Sequence, residues 1–168
     1  DLHSFPTRRS SDLRLMMVCF VSSCSSDSDG KSDDTPFQVK TVANSGCKKT
    51  GSESRAANDN TNSEYIEYKA IGNGYLSLNH VNTYFNCQPG ELNIQATLEG
   101  NEIKILETEE QALVKCICPY DLYCEIGPLK NETYTIVVYK KTFEDGAYAR
   151  FSISYSNTLS GKDNTDDF

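Results

Sequence analysis

Tryptophan is absent from the chain, methionine occurs twice and proline five times. With no indole available, the core and any binding face must rely on ten tyrosines, seven phenylalanines and the aliphatics. Histidine is confined to His3 and His80, and no G-x-S-x-G elbow is present, which argues against a Ser/His hydrolase. No C-x-x-C motif occurs, so a thiol redox enzyme lacks its usual signature. Glycines sit in turns, which leaves no phosphate cradle. Basic residues are the minority, 16 Lys and Arg against 24 Asp and Glu, for a net charge of −8. That balance speaks against nucleic acid, whose binding rewards clustered cations, and against an electrostatic grip on anionic lipid. No apolar run approaches the roughly 20 residues of a membrane-spanning helix.

What is present begins with a leader-like segment. Residues 1–13, DLHSFPTRRSSDL, resemble the translation of a sequencing-library adapter and are set aside from fold reasoning. Arg14 and the apolar stretch Leu15 to Val21 then read as the end of a truncated signal peptide. Val21-Ser22-Ser23-Cys24 resembles a bacterial lipoprotein cleavage site, in which Cys24 becomes the lipid-modified first residue. The expected location is the bacterial cell envelope, as an outer-membrane lipoprotein facing the periplasm or the surface. Its expected membrane contact is the acyl chains on Cys24, since stable anchoring takes more than one chain. Residues 24–36 are small, polar and acidic and read as a tether. Asp27, Asp29, Asp33 and Asp34 lack the closing Glu of a calcium loop and read as solvated linker.

From Phe37 onward the pattern is one of strands. Phe37 to Val42 reads as an edge strand, residues 46–63 as a long polar loop, and Glu64 to Ala70 as a strand ending at an Ile-Gly-Asn-Gly turn. Leu76, Leu78 and His80 share one face of Tyr75 to Phe85. Leu92, Ile94, Ala96 and Leu98 alternate with polar residues, and a tight turn leads into Ile103 to Glu107. Thr108 to Leu113 has room for one helical turn. Val114 to Cys118 and Leu122 to Ile126 read as two short strands around Pro119, which cannot donate to a ladder. Tyr134 to Lys140 is apolar on both faces and reads as central, and Ala147 to Tyr155 as a last, one-sided strand. Residues 158–168 read as a disordered tail. The expected fold is all-β: a single antiparallel sandwich over 37–157, immunoglobulin-like, with seven or eight strands.

His80-Val81-Asn82 with Phe85-Asn86-Cys87, then Cys116-Ile117-Cys118-Pro119-Tyr120-Asp121-Leu122, then Leu129 and Tyr134, resembles a group of small secreted lipoproteins of gut Bacteroides-type bacteria. In that group an H-x-N-x-x-F-N-C segment is followed by C-x-C-x-Y-D-L and a closing strand. The resemblance spans residues 80–139 and implies fold and location; it carries no activity. It also implies that Cys87 pairs with Cys116 or Cys118. Gln88 stands where many members carry a further cysteine, and Cys124 is then a candidate for the missing thiol.

Cys47, Cys87, Cys116, Cys118 and Cys124 are the cysteines beyond the lipidation site, and disulfides are the default for an exported domain. Cys116 and Cys118 are about 6.6 Å apart on an extended strand with parallel side chains, so they bond to different partners. With Cys87 taking one, Cys124 is expected to reach the other through the Pro119 bend, leaving Cys47 over. The disulfide candidates are thus Cys87, Cys116, Cys118 and Cys124. The sharper alternative is zinc or copper(I) held by His80, Cys87, Cys116 and Cys118. Against it, C-x-C is a weak metal signal, and a histidine beside Leu76 and Leu78 is more often a hydrogen-bonded core residue.

No acid/base pair stands out. Glu107, Glu109 and Glu110 read as a solvated acidic turn, Asp121 as a turn cap, and Glu125 has no apparent role. The expectation is a non-enzymatic protein with no cofactor. Tyr65, Tyr68, Tyr120, Tyr123 and Tyr148 are candidates for contacting a glycan or protein ligand, although strand propensity alone accounts for tyrosines in such positions.

Overall fold

The computed structural model describes residues 35–48, 63–141 and 146–165, all within one compact unit, Asp34–Phe168. The adapter-like and leader-like segments, Cys24, the tether up to Asp34 and residues 49–62 lie outside the described residues. Nine strands form among the described residues: β1 Gln38–Asn44, β2 Tyr65–Gly72, β3 Tyr75–Asn86, β4 Leu92–Glu99, β5 Glu102–Glu109, β6 Ile117–Gly127, β7 Thr133–Lys140, β8 Ala149–Ser154 and β9 Ser160–Asn164. One sheet has the order β1-β6-β3-β2-β9 and the other β4-β5-β7-β8. Their inner faces share one apolar core, so the all-β sandwich is as expected.

Alternation builds that core. Leu76 and Leu78 of β3, Leu122, Cys124 and Ile126 of β6, Ile103 and Ile105 of β5, and Ile136 and Val138 of β7 all turn inward. Each of these leucine, isoleucine and valine side chains contributes roughly 1.5–3 kcal/mol by leaving water. β7 lies between β5 and β8, and Val137 on its other face is also buried, consistent with its doubly apolar sequence.

The topology departs from expectation in one respect. β5 pairs with β7 in parallel, because the chain visits the other sheet as β6 between them. The strand order is therefore not the ABED/CFG arrangement of an immunoglobulin domain. Hydrophobic alternation reports which face a strand buries, not which neighbour it takes.

Three local readings are corrected. β6 runs unbroken through Pro119, because the Pro119 carbonyl points away from β3 and accepts from Lys48 N at 2.9 Å. A strand residue directs its N and C=O to the same side, so the missing N–H removes nothing from the β3–β6 ladder. The expected helical turn at 108–113 is absent, as β5 continues to Glu109. The expected tail instead forms β9 on the free edge of β2. Gly161 opposes Tyr68 there, and a Cβ would lie within 2.6 Å of its ring and hydroxyl, so any larger residue must displace that tyrosine. Lys162 caps the Tyr65 ring, 3.3 Å from its centroid.

β3 carries a bulge that sets the site. Its register with β6 shifts between His80 and Thr83, and Asn82 takes φ 59°. An extra residue reverses the facing of everything beyond it. Leu76, Leu78 and His80 face inward before the bulge, and Thr83 and Phe85 after it.

Candidate functional site

Four charged side chains each extend the inward row of their strand one step past its last apolar residue. Glu64 precedes Ile66, His80 follows Leu78, Glu107 follows Ile105, and Lys140 follows Val138. The sandwich brings all four together. His80 Nδ1 lies 2.9 and 3.0 Å from the two carboxylate oxygens of Glu107. Its Nε2 is 3.0 Å from Glu64 Oε1, within ion-pair distance but poorly aligned for a hydrogen bond. Lys140 Nζ donates to Glu64 Oε1 at 3.0 Å, and the Tyr148 hydroxyl donates to Glu64 Oε2 at 2.6 Å. Lys140 also sits 3.6 Å from the Tyr148 ring centroid and 5.5 Å from that of Phe85. Glu107 comes from the opposite sheet to His80, so the network ties the two layers together.

Burial makes these contacts strong and their disruption costly. His80 and Glu107 are each 3% exposed. Burial alone would favour neutral imidazole, but the Glu107 charge and hydrogen bond, with the contact to Glu64, raise His80 to about 9. Burial would likewise raise Glu64, but the contacts from His80 and Tyr148 and the charges of Lys140 and His80 hold it at about 2. At neutral pH the contacts thus favour the charged forms of both His80 and Glu64.

Cys124 lines the same interior as His80 and Glu107, a set that on paper resembles nucleophile, base and acid. The free space there is about 10 Å³, the scale of one water molecule, with no room for a substrate. Burial, then Glu107 and Glu125, push the Cys124 thiol up to about 12, which suppresses the thiolate that nucleophilic chemistry needs. The arrangement holds the core; it does not expose a reacting group.

Asn82 forms a second polar centre. Its N–H donates to Asp121 Oδ1 at 3.1 Å, its Oδ1 accepts from Lys48 Nζ at 2.9 Å, and its Nδ2 donates to Ser63 O at 3.1 Å. Lys48 is also ion-paired with Asp121. One left-handed asparagine therefore joins both flanks of the 49–62 segment to the bulge. Asp121, read from sequence as a turn cap, caps this bulge across the ladder. Tyr120 donates from its hydroxyl to Asn86 O at 2.9 Å and meets Phe85 edge-on. The H-x-N-x-x-F-N-C and C-x-C-x-Y-D-L segments are thus the two facing halves of the β3–β6 ladder.

The cysteines pair as Cys87–Cys116 and Cys47–Cys118, with Cys124 free and buried. Cys124, expected in a bridge, is the thiol left over, and Cys47 is not. The reason is positional. Cys124 lies in mid-strand facing the core opposite Leu78, whereas residues 45–48 continue alongside β6 as far as Pro119 and carry Cys47 to Cys118. The alternative metal set is not assembled: Cys87, Cys116 and Cys118 are all bridged and His80 faces two carboxylates.

A groove of about 320 Å³ lies where the ends of β3, β5 and β7 meet. Its lining includes Tyr84, Glu109, Gln111 and Lys141, and Lys140 links it to the buried network. The tyrosines singled out from sequence are otherwise engaged. Tyr120 is buried, Tyr68 stacks on Phe151, Tyr148 holds Glu64, Tyr65 lies under Lys162, and Tyr123 donates to Glu125. Tyr84, 41% exposed, was not among them. The bulge turns it outward, against the alternation that the first half of β3 sets.

No family model, curated protein or solved structure was found to match the chain.

Proposed function

We propose that the chain is a lipid-anchored envelope protein whose sandwich is a non-enzymatic module, a rigid frame for recognition at its loop-bearing end. The carrying observation is that four cysteines are committed to two disulfides, which belong to an oxidising, non-cytoplasmic compartment. The buried Glu64–His80–Glu107–Lys140 cluster supports the non-enzymatic part of the reading, since it is internally compensated and has no room for substrate. Anchoring through Cys24 rests on the Val21 to Cys24 motif and the resemblance to secreted lipoproteins.

The test has two readouts. With an initiating methionine and a basic segment placed ahead of Arg14, the chain is expressed in a lipoprotein-processing bacterium fed labelled palmitate. Label is expected in the wild type and absent from Cys24→Ser. Apart from any thiol at residues 19 and 24, protein purified without reductant should then show no reactive thiol while folded and one on denaturation, that of Cys124. Unlabelled wild type would remove the anchor; several free thiols in folded protein would remove the oxidised frame.

A further inference from the structure

We propose that the groove between the ends of β3, β5 and β7 binds a neutral saccharide, with Tyr84 as the platform on which a sugar ring lies. The proposal rests on the recognition reading above and names its ligand class.

Three observations converge on this groove. The first is its lining. Tyr84, an exposed residue, shares the lining with Thr108, Glu109, Gln111 and Lys141, which bring a hydroxyl, a carboxylate, an amide and an amine. An aromatic face beside mixed donors and acceptors matches a sugar, which offers an apolar C–H face and a rim of hydroxyls.

The second is charge. Lys140 is already neutralised by Glu64, so Glu109 and Lys141 remain as one negative and one positive group. Such a pair offers a strongly anionic or cationic ligand no net opposite charge, and the net charge of −8 further disfavours anions. A neutral polyhydroxyl ligand can hydrogen-bond to both.

The third is preorganisation. Glu109 Oε2 accepts from Asn86 N at 2.8 Å, Gln111 N donates to Pro89 O at 2.9 Å, and Glu110 N donates to Glu91 O at 2.9 Å. Gly90 packs so closely that a Cβ would lie 2.6 Å from Glu110 Oε2 and 3.0 Å from Gln111 Cγ. The Cys87–Cys116 bridge fastens the same corner, where Cys87 N donates to Cys116 O at 3.0 Å. Opposite, Lys141 is held at φ 75° by its N–H bond to Glu107 O at 3.1 Å. A lysine rarely adopts that conformation without the surroundings enforcing it, and such residues gather where a surface is shaped for a ligand. Walls fixed in advance reduce the ordering cost of binding.

The test is saturation-transfer NMR on the full chain with cellobiose, maltose, lactose and N,N′-diacetylchitobiose at millimolar concentration. Transfer to at least one is expected, with affinity lowered about tenfold or more in Tyr84→Ala and retained in Tyr84→Phe. Because Tyr84 is exposed and lies outside the apolar core, both variants should keep the wild-type thiol count and a cooperative thermal transition. No transfer to any of these sugars overturns the proposal, as does binding that Tyr84→Ala leaves unchanged. Either failure leaves the palmitate and thiol results of the envelope reading intact, so the two are judged separately.

Discussion

At the scale of single residues, His80 decides most. It is the one position in the described core where a cation is sandwiched between two carboxylates. His80→Gln removes that cation and leaves Glu107 buried with no cationic partner, so urea denaturation should show a loss of about 3–5 kcal/mol. Glu107→Gln tests the other side. It keeps the shape and a hydrogen-bonding group while removing the charge that most raises the histidine. NMR titration of His80 in that variant should give a midpoint well below the native value. Asn82→Ala should cost about 1–3 kcal/mol, since it forces a Cβ-bearing residue without a side-chain amide into the left-handed region and breaks the links to Lys48 and Ser63.

At the scale of elements, β9 is the least obvious strand. It has no apolar row and is held by ladder bonds, a lysine over Tyr65, and the gap at Gly161. Gly161→Ala should push against the Tyr68 ring, which is itself pinned by stacking on Phe151. Hydrogen exchange should then lose protection at residues 160–164 while β3 and β6 stay protected. The strands with alternating apolar rows were legible in the sequence, because period two is the property that burial on one face imposes. β9 was not, because an edge held by backbone and one missing side chain leaves no such pattern. The network was legible in principle. Glu107 and Lys140 continue the rows Ile103-Ile105 and Ile136-Val138, and reading Glu107 as part of a solvated acidic turn stopped its row one residue early. Tyr84 was hidden for the opposite reason: the bulge at Asn82 reverses the facing that the first half of β3 sets. The odd spacing between His80 and Phe85, both inward, is the trace it leaves in sequence.

At the scale of the whole molecule, stability should depend on pH from both sides of a narrow optimum. Glu64 binds its proton more weakly when folded, so its contribution is present above 4.5 and is lost as pH falls toward about 2. His80 binds its proton more tightly when folded, so its contribution is present below 6.5 and is lost as pH rises through about 9. Thermal melts across this range should peak between these limits. The decline between 6.5 and about 9, on the order of 3 kcal/mol, should flatten in His80→Gln. The disulfides act on the unfolded chain instead. They close segments of 71 and 29 residues, the shorter nested within the longer. Nesting has a kinetic consequence. The β3–β6 ladder joins segments far apart along the chain, the kind of distant pairing that slows a search. In the oxidised chain the covalent path from Cys87 to Cys116 is a single bridge, so the ends of both strands start as neighbours. Stopped-flow refolding should therefore be faster for oxidised than for reduced protein: with its bridges in place, a fold of long-range contacts assembles as though its central pair were a hairpin.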